Sequence, residues 1–102
     1  MEIMINGHRY STDSQIAKKI GERNNHYDSD GNIVLGTASK RFLCEELYQE
    51  YGSEVYYLVR MAGVDTPLYD STAEEKNELG STQIIPMTRE EARKWISQTK
   101  SI

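Results

Sequence analysis

The segment IIPMTREEARKWI, residues 84–96, constrains the fold more than any other stretch of the chain. It reads as a short strand that stops at Pro86 and a helix that starts at Thr88. Thr88-Arg89-Glu90-Glu91 fits a capping box: the Thr88 hydroxyl accepts from the Glu91 amide, and the Glu91 carboxylate reaches back. Met87 at N′ is placed to touch Ala92 at N4, a weak hydrophobic staple. Ala92, Trp95, Ile96 and Thr99 fall on one face, so the helix is expected to dock through Trp95. Glu90 and Lys94 add an i,i+4 pair worth a few tenths of a kcal/mol.

The rest of the chain is read from its turn residues. In EIMINGHRY, residues 2–10, Asn6-Gly7 separates two short runs and suits a type I′ hairpin turn. STDSQIAKKIG, residues 11–21, predicts a short helix. Ser11 or Thr12 would cap it, Asp13 would favour its first turn, and Gly21 would close it at C′. Residues 22–32 are a polar loop, and NIVLG after it is a short apolar strand. EVYYLVRMAG, residues 54–63, is rich in Val and Tyr and reads as a strand. KRFLCEELYQEYG, residues 40–52, carries both periods: Leu43, Leu47 and Tyr51 repeat at helical spacing, but a Gly52-Ser53 turn would pair it with 54–63 as a long hairpin. The hairpin is the reading taken here. Residues 64–81 form a connector containing Pro67 and Gly80, with one or two helical turns expected in TAEEKNELG. The expectation is a single α+β domain over residues 1–102. A small antiparallel sheet built from hairpins would carry a short N-terminal helix and a packed C-terminal helix.

Composition excludes several function classes. With 102 residues, one modest core is the natural expectation. The hydrophobic fraction is 37% and mean hydropathy −0.69, but seven tyrosines supply large apolar area with a polar tip. The net charge of −4 and pI near 5.1 argue against non-specific nucleic-acid binding and fit a basic protein partner. One cysteine, Cys44, cannot form an intrachain disulfide, and no zinc-ligand spacing accompanies it. No signal-peptide pattern and no run of membrane length is present, so a cytoplasmic protein is expected.

Few residues point to chemistry. DSDGN, residues 28–32, places Asp28, Asp30 and Asn32 at the first ligand positions of a calcium loop. Ile33 then stands where glycine is required and Ser39 where the bidentate glutamate is required. The reading is a tight Asp-Gly turn. His8, His26 and Cys44 match no metal motif, and Cys44 reads as core. Arg60, inside an apolar strand, is expected to point outward. The acidic groups (Glu45, Glu46, Glu50, Glu54; Asp70, Glu74, Glu75, Glu78; Glu90, Glu91) read as solvated faces or as a negatively charged binding surface. The second group is the best placed for binding, because it lies on a connector beside Tyr69, a candidate aromatic anchor. The candidate partner-binding set is therefore Tyr69, Asp70, Glu74, Glu75 and Glu78. No catalytic residue, metal ligand or cofactor is assigned.

Three segments together resemble a largely uncharacterised group of small proteins carried by mobile elements and phages of Firmicutes. They are MINGHRYSTDSQIAKKIG, EELYQEYGSEVYYLVRMAG and IIPMTREEARKWI. The likeness covers about two-thirds of the chain, and the loops at 22–39 and 64–81 depart from it. Small acidic proteins on such elements include anti-CRISPR proteins. The resemblance thus implies a non-enzymatic inhibitor of a host defence system, with a type II-A Cas9 effector as the partner and an acidic surface as the means. The other readings are an accessory or regulatory binding module of a mobile element, for which a homodimer paired through a strand edge is one form, and a small hydrolase or metal-dependent enzyme.

Overall fold

The computed structural model describes residues 2–25, 30, 32, 35, 39–73, 75–76 and 80–99. Strands β1 (Glu2–Ile5) and β2 (His8–Ser11) pair antiparallel, with Ile5 opposite His8. The two residues between them, Asn6 and Gly7, have φ of 49° and 81°, as a type I′ turn requires. The Asn-Gly reading holds.

The N-terminal helix does not form. Ser11 Oγ accepts from the Asp13 amide at 3.0 Å and Asp13 Oδ1 from the Gln15 amide at 2.9 Å, so the capping residues build a turn. The Asp13 carbonyl accepts from Ile16 (2.9 Å) and Ala17 (3.0 Å), and the helical winding stops there. Residues Ala17–Asn24 are instead strand β3. Capping signals specify a start, but a helix this short depends on packing to persist. Here the packing favours a strand: Ala17 is buried against Tyr57, Val59 and Ile84.

Strand β3 is one edge of a five-stranded sheet. Its other strands are β4 (Leu43–Glu50), β5 (Tyr56–Gly63), β6 (Glu75–Lys76) and β7 (Gly80–Met87), in the order β3-β4-β5-β7-β6. The long hairpin expected over residues 40–63 is β4–β5. The Glu50 amide donates to the Val55 carbonyl (3.0 Å) and the Gly63 amide to the Phe42 carbonyl (2.7 Å). Both bonds give one antiparallel register, which sets Glu45 opposite Arg60, Leu47 opposite Leu58 and Tyr48 opposite Tyr57. Helical turns do not form at Glu75–Lys76, which pair with Thr82 and Ser81 of β7. The NIVLG run and the rest of 77–79 lie mostly outside the described residues.

Strand β7 continues through Pro86 to Met87 rather than stopping at the proline. Pro86 is exposed and lies beyond the two β7 residues that β6 pairs, where its missing N–H breaks no ladder bond to β6. Helix α1 (Arg89–Thr99) follows. Its capping box is formed on both sides: Thr88 Oγ1 accepts from the Glu91 amide at 3.1 Å, and Glu91 Oε1 from the Thr88 amide at 2.9 Å. The Thr88 amide foremost, and then the Thr88 side chain, hold the Glu91 carboxyl below its ordinary range.

The residues group into two compact units, Met1–Glu22 with Glu46–Val59 and Ile84–Ile102, and Arg23–Glu45 with Arg60–Gln83. The first unit holds both apolar clusters. Ala17, Tyr57, Val59 and Ile84 form one, with Ile3, Tyr10, Tyr48 and Val55 against it. Leu47, Leu58, Ala92 and Trp95 form the other, joined by Ile20, Tyr56, Ile85, Met87 and Ile96. Trp95 is the anchor of α1, as its spacing predicted. The second unit buries smaller and more polar groups: Cys44, Ala62 and Ala73, with Glu45 and Ser81.

Candidate functional site

Of the expected binding set, Tyr69, Asp70 and Glu75 are described residues of the second unit. Tyr69 is half-buried, with its amide donating to the Thr66 carbonyl at 3.3 Å. Asp70 is a structural clasp. Its Oδ1 accepts from the Thr72 amide (2.8 Å) and hydroxyl (2.6 Å), its Oδ2 from Gln83 Nε2 (2.6 Å), and its own amide donates to Ser81 Oγ (3.4 Å). These bonds, the Thr72 pair foremost, hold its carboxyl below the usual range. Oδ1 is thereby committed to the connector's own turn and Oδ2 to tying that turn to β7. Lys76 Nζ closes the same loop on the Ser71 carbonyl. Glu75 stands in β6 opposite Thr82. Glu74 and Glu78 lie outside the described residues.

Sequence reasoning missed the most charged feature of this unit. Glu45, taken for part of a solvated face, is 1% exposed. One carboxylate oxygen accepts from Arg23 Nε, the other from Arg60 Nε at 2.8 Å. Arg60 does not simply point outward: its guanidinium is drawn onto Glu45, and its side chain is 23% exposed. A buried carboxylate is tolerated when its lone pairs are satisfied by charged donors, and here three adjacent strands supply the triad. Period-2 alternation carried the signal, because Glu45 shares a sheet face with Leu47 and lies opposite Arg60.

Charge is therefore distributed unevenly. The first unit has eight acidic and seven basic residues, and the second eight and five. In the first unit most acids are already answered. Glu2 pairs with Arg9, Glu22 and Glu46 with Lys19, Glu50 with His8, and Glu54 with Arg89. Glu22, and then Glu46, hold the Lys19 ammonium above the usual lysine range. In the second unit, Glu45 consumes two of the five basic residues. Seven acidic positions and three basic ones remain there.

Comparison with protein-family models, curated proteins and solved structures returns no match.

The first unit has one further polar cluster. His8 Nε2 lies 3.1 Å from Glu50 Oε1, and the His8, Tyr10, Tyr57 and Tyr48 rings follow one another at centroid separations of 4.7, 5.2 and 5.8 Å. The Tyr57 hydroxyl donates to the Ser11 carbonyl. Burial, with the Glu50 charge near it, pushes the Tyr57 phenol up; burial and Glu46 do the same for Tyr48. These contacts hold the β1–β2 hairpin, and the His8 side chain, 43% exposed, hydrogen-bonds Glu50 from the hairpin's surface. Beside Glu50 is a concavity of about 190 Å³ lined by Lys18, Gln49, Tyr51 and Gly52, smaller than pockets that enclose organic ligands. Cys44 is buried, in keeping with a core role. His26 and Asp28 lie outside the described residues. No helix among the described residues is long and apolar enough to cross a membrane.

Proposed function

We propose that this chain is a non-enzymatic inhibitor that binds a basic protein surface stoichiometrically through the acidic face of its second unit. One observation supports the reading above others: two of that unit's five basic residues are spent on a buried glutamate, leaving its remaining charges predominantly acidic. In this reading Glu74, Glu75, Glu78 and Tyr69 are the contact residues, while Asp70 holds the turn at Thr72 onto β7. The target, a type II Cas9 effector, rests on the family resemblance alone. Its chemistry is suitable, because Cas9 reads its PAM and grips its heteroduplex with cationic side chains that carboxylates can occupy. The reading places the protein in the cytoplasm of a bacterial host.

The test is plasmid interference in cells carrying an active type II-A Cas9, with the wild-type chain or with Glu74→Lys/Glu75→Lys/Glu78→Lys. Protection by the wild type and its loss in the soluble triple variant are expected. No protection by soluble wild type removes the Cas9 reading, and protection undiminished by reversal removes this surface. The homodimer reading is the weaker one. Edge strand β3 exposes Lys18 and Lys19, and the open stretch of β7 contains Pro86, both of which discourage edge-to-edge pairing. Sedimentation as a monomer at all concentrations would remove it.

A further inference from the structure

The turn that leads into β4 is held unusually firmly for an exposed segment. Every carbonyl from Ser39 to Leu43 accepts a hydrogen bond. The Ser39 carbonyl accepts from the Phe42 amide (3.1 Å), Lys40 from Asp65 (2.8 Å), Arg41 from Asn25 Nδ2 (2.7 Å), Phe42 from Gly63 (2.7 Å) and Leu43 from Asn25 (3.1 Å). The Arg41 amide donates to Ser39 Oγ at 3.1 Å and the Leu43 amide to Asn25 Oδ1 at 2.8 Å. The backbone is fixed from both sides, by Asn25 and by residues 63–65.

What this frame presents is charge. Lys40 and Arg41 are both exposed, and among the described residues neither side chain has an ion-pair partner. They contrast with Arg23 and Arg60 of the same unit, which Glu45 holds. Asp65, also exposed, is the acidic residue bonded to this turn, and it makes that bond through its backbone amide. Ser39 Oγ accepts from Arg41, which leaves its own hydroxyl proton to donate. A hydroxyl, an ammonium and a guanidinium thus follow one another on a pre-organised turn. Such donors recognise oxyanions, and fixing them in advance lowers the ordering cost of binding. Two adjacent cations are too few to hold an extended nucleic-acid backbone, which needs clustered Lys and Arg, and they match a single compact anionic group.

We propose that Ser39, Lys40 and Arg41 form an oxyanion-recognition point for a carboxylate on an acidic segment of a protein partner. It is independent of the acidic surface proposed above. In a binding interface of mixed charge it would fix register, in the manner of a cationic anchor beside an acidic field.

The test uses the full chain, isotope-labelled and observed by amide NMR, titrated with a short Glu-rich peptide and its Gln-substituted counterpart. Saturable shifts at Arg41, Phe42, Leu43 and Asn25 are expected with the Glu peptide alone, suppressed by added salt in the wild-type protein. Lys40→Gln/Arg41→Gln should bind roughly tenfold more weakly, as loss of two exposed charge contacts implies. Lys18→Gln/Lys94→Gln, which neutralises two other exposed cations, should bind as the wild type does. Absence of saturable shifts in the wild type overturns the proposal. Equal binding of both peptides overturns it too, as does equal weakening by the control pair. Tighter binding of a single-stranded oligonucleotide at the same amides would overturn the assignment to a protein partner. The salt arm reads the wild-type fold, so the proposal stays testable even if the double variant is unstable.

Discussion

The indole of Trp95 occupies the space that a side chain at Gly21 would need. A Cβ built on Gly21 would lie 2.6 Å from Cζ3 and 3.4 Å from Cη2 of the ring. Glycine is required here by close approach, and the bare strand backbone becomes the seat of the helix anchor. Gly21→Ala should therefore cost about 1–3 kcal/mol through overpacking. Trp95→Ala should cost roughly 3–5 kcal/mol. In urea denaturation the Gly21→Ala penalty should shrink in a Trp95→Phe background, where the smaller ring leaves room. An unchanged midpoint for Gly21→Ala would refute the contact.

The same glycine shows where sequence reading succeeds and where it fails. Elements specified by neighbouring residues were legible: the Asn6-Gly7 turn, the β4–β5 hairpin, and the Thr88/Glu91 box with Ala92 and Trp95 on its inner face. Residues 11–21 have equally local helix signals, but their outcome was set from a distance, by the partners of Ala17 and by Trp95 over Gly21. Gly21 reads as a C′ residue only when its neighbours along the chain are considered. At the candidate site, the sequence showed the acidic grouping but not the bonds that Asp70 and Glu45 make. Nothing local marks Asp70 as bonded to Gln83, or Glu45 as buried between two arginines, because both depend on which strands become neighbours.

Glu45 gives the second prediction. Removing one partner of a buried, hydrogen-bonded charge cluster leaves the others uncompensated, so Glu45→Ala should destabilise the protein by about 3–5 kcal/mol. Replacing the whole triad, as Arg23→Met/Glu45→Leu/Arg60→Met, should recover most of that loss, since no unpaired charge then remains. Chemical denaturation of both variants distinguishes a buried triad from a surface one. A Glu45→Ala cost under about 1 kcal/mol would match exposed pairs instead.

The tyrosine cluster predicts alkaline lability. Burial raises the folded-state pKa of Tyr57, and of Tyr48, above the ordinary value of 10.0. A raised value means the unfolded chain loses these protons first, so stability is fully present below pH 10 and falls as pH climbs through the folded values. Denaturation midpoints measured between pH 9 and pH 12 should decline, with the phenolate absorbance appearing late in the folded protein. Tyr48→Phe should flatten the decline without breaking the Tyr57 bond to the Ser11 carbonyl. A wild-type midpoint constant across this range would contradict the burial of both hydroxyls.

Asp70 and its acidic neighbours should separate experimentally. The Asp70 pKa is lowered by its bonds to Thr72 and Gln83, so its contribution to stability is present above the ordinary carboxylate value of 3.8 and is lost as pH falls through the folded value. Asp70→Asn keeps an acceptor for Thr72 but turns an N–H₂ toward Gln83 Nε2, donor against donor. That clash should turn the side chain away from Thr72 as well, so the variant should lose amide-exchange protection at Thr72 at neutral pH, and the wild type should lose it on acidification. Glu74→Gln/Glu75→Gln/Glu78→Gln removes three charges from the connector, against one in Asp70→Asn, and leaves Asp70, Thr72 and Gln83 in place. It should leave that protection intact while lowering affinity for a basic partner. If Asp70→Asn exchanges like the wild type and weakens binding as the triple variant does, Asp70 is a contact residue and not the support of the surface beside it.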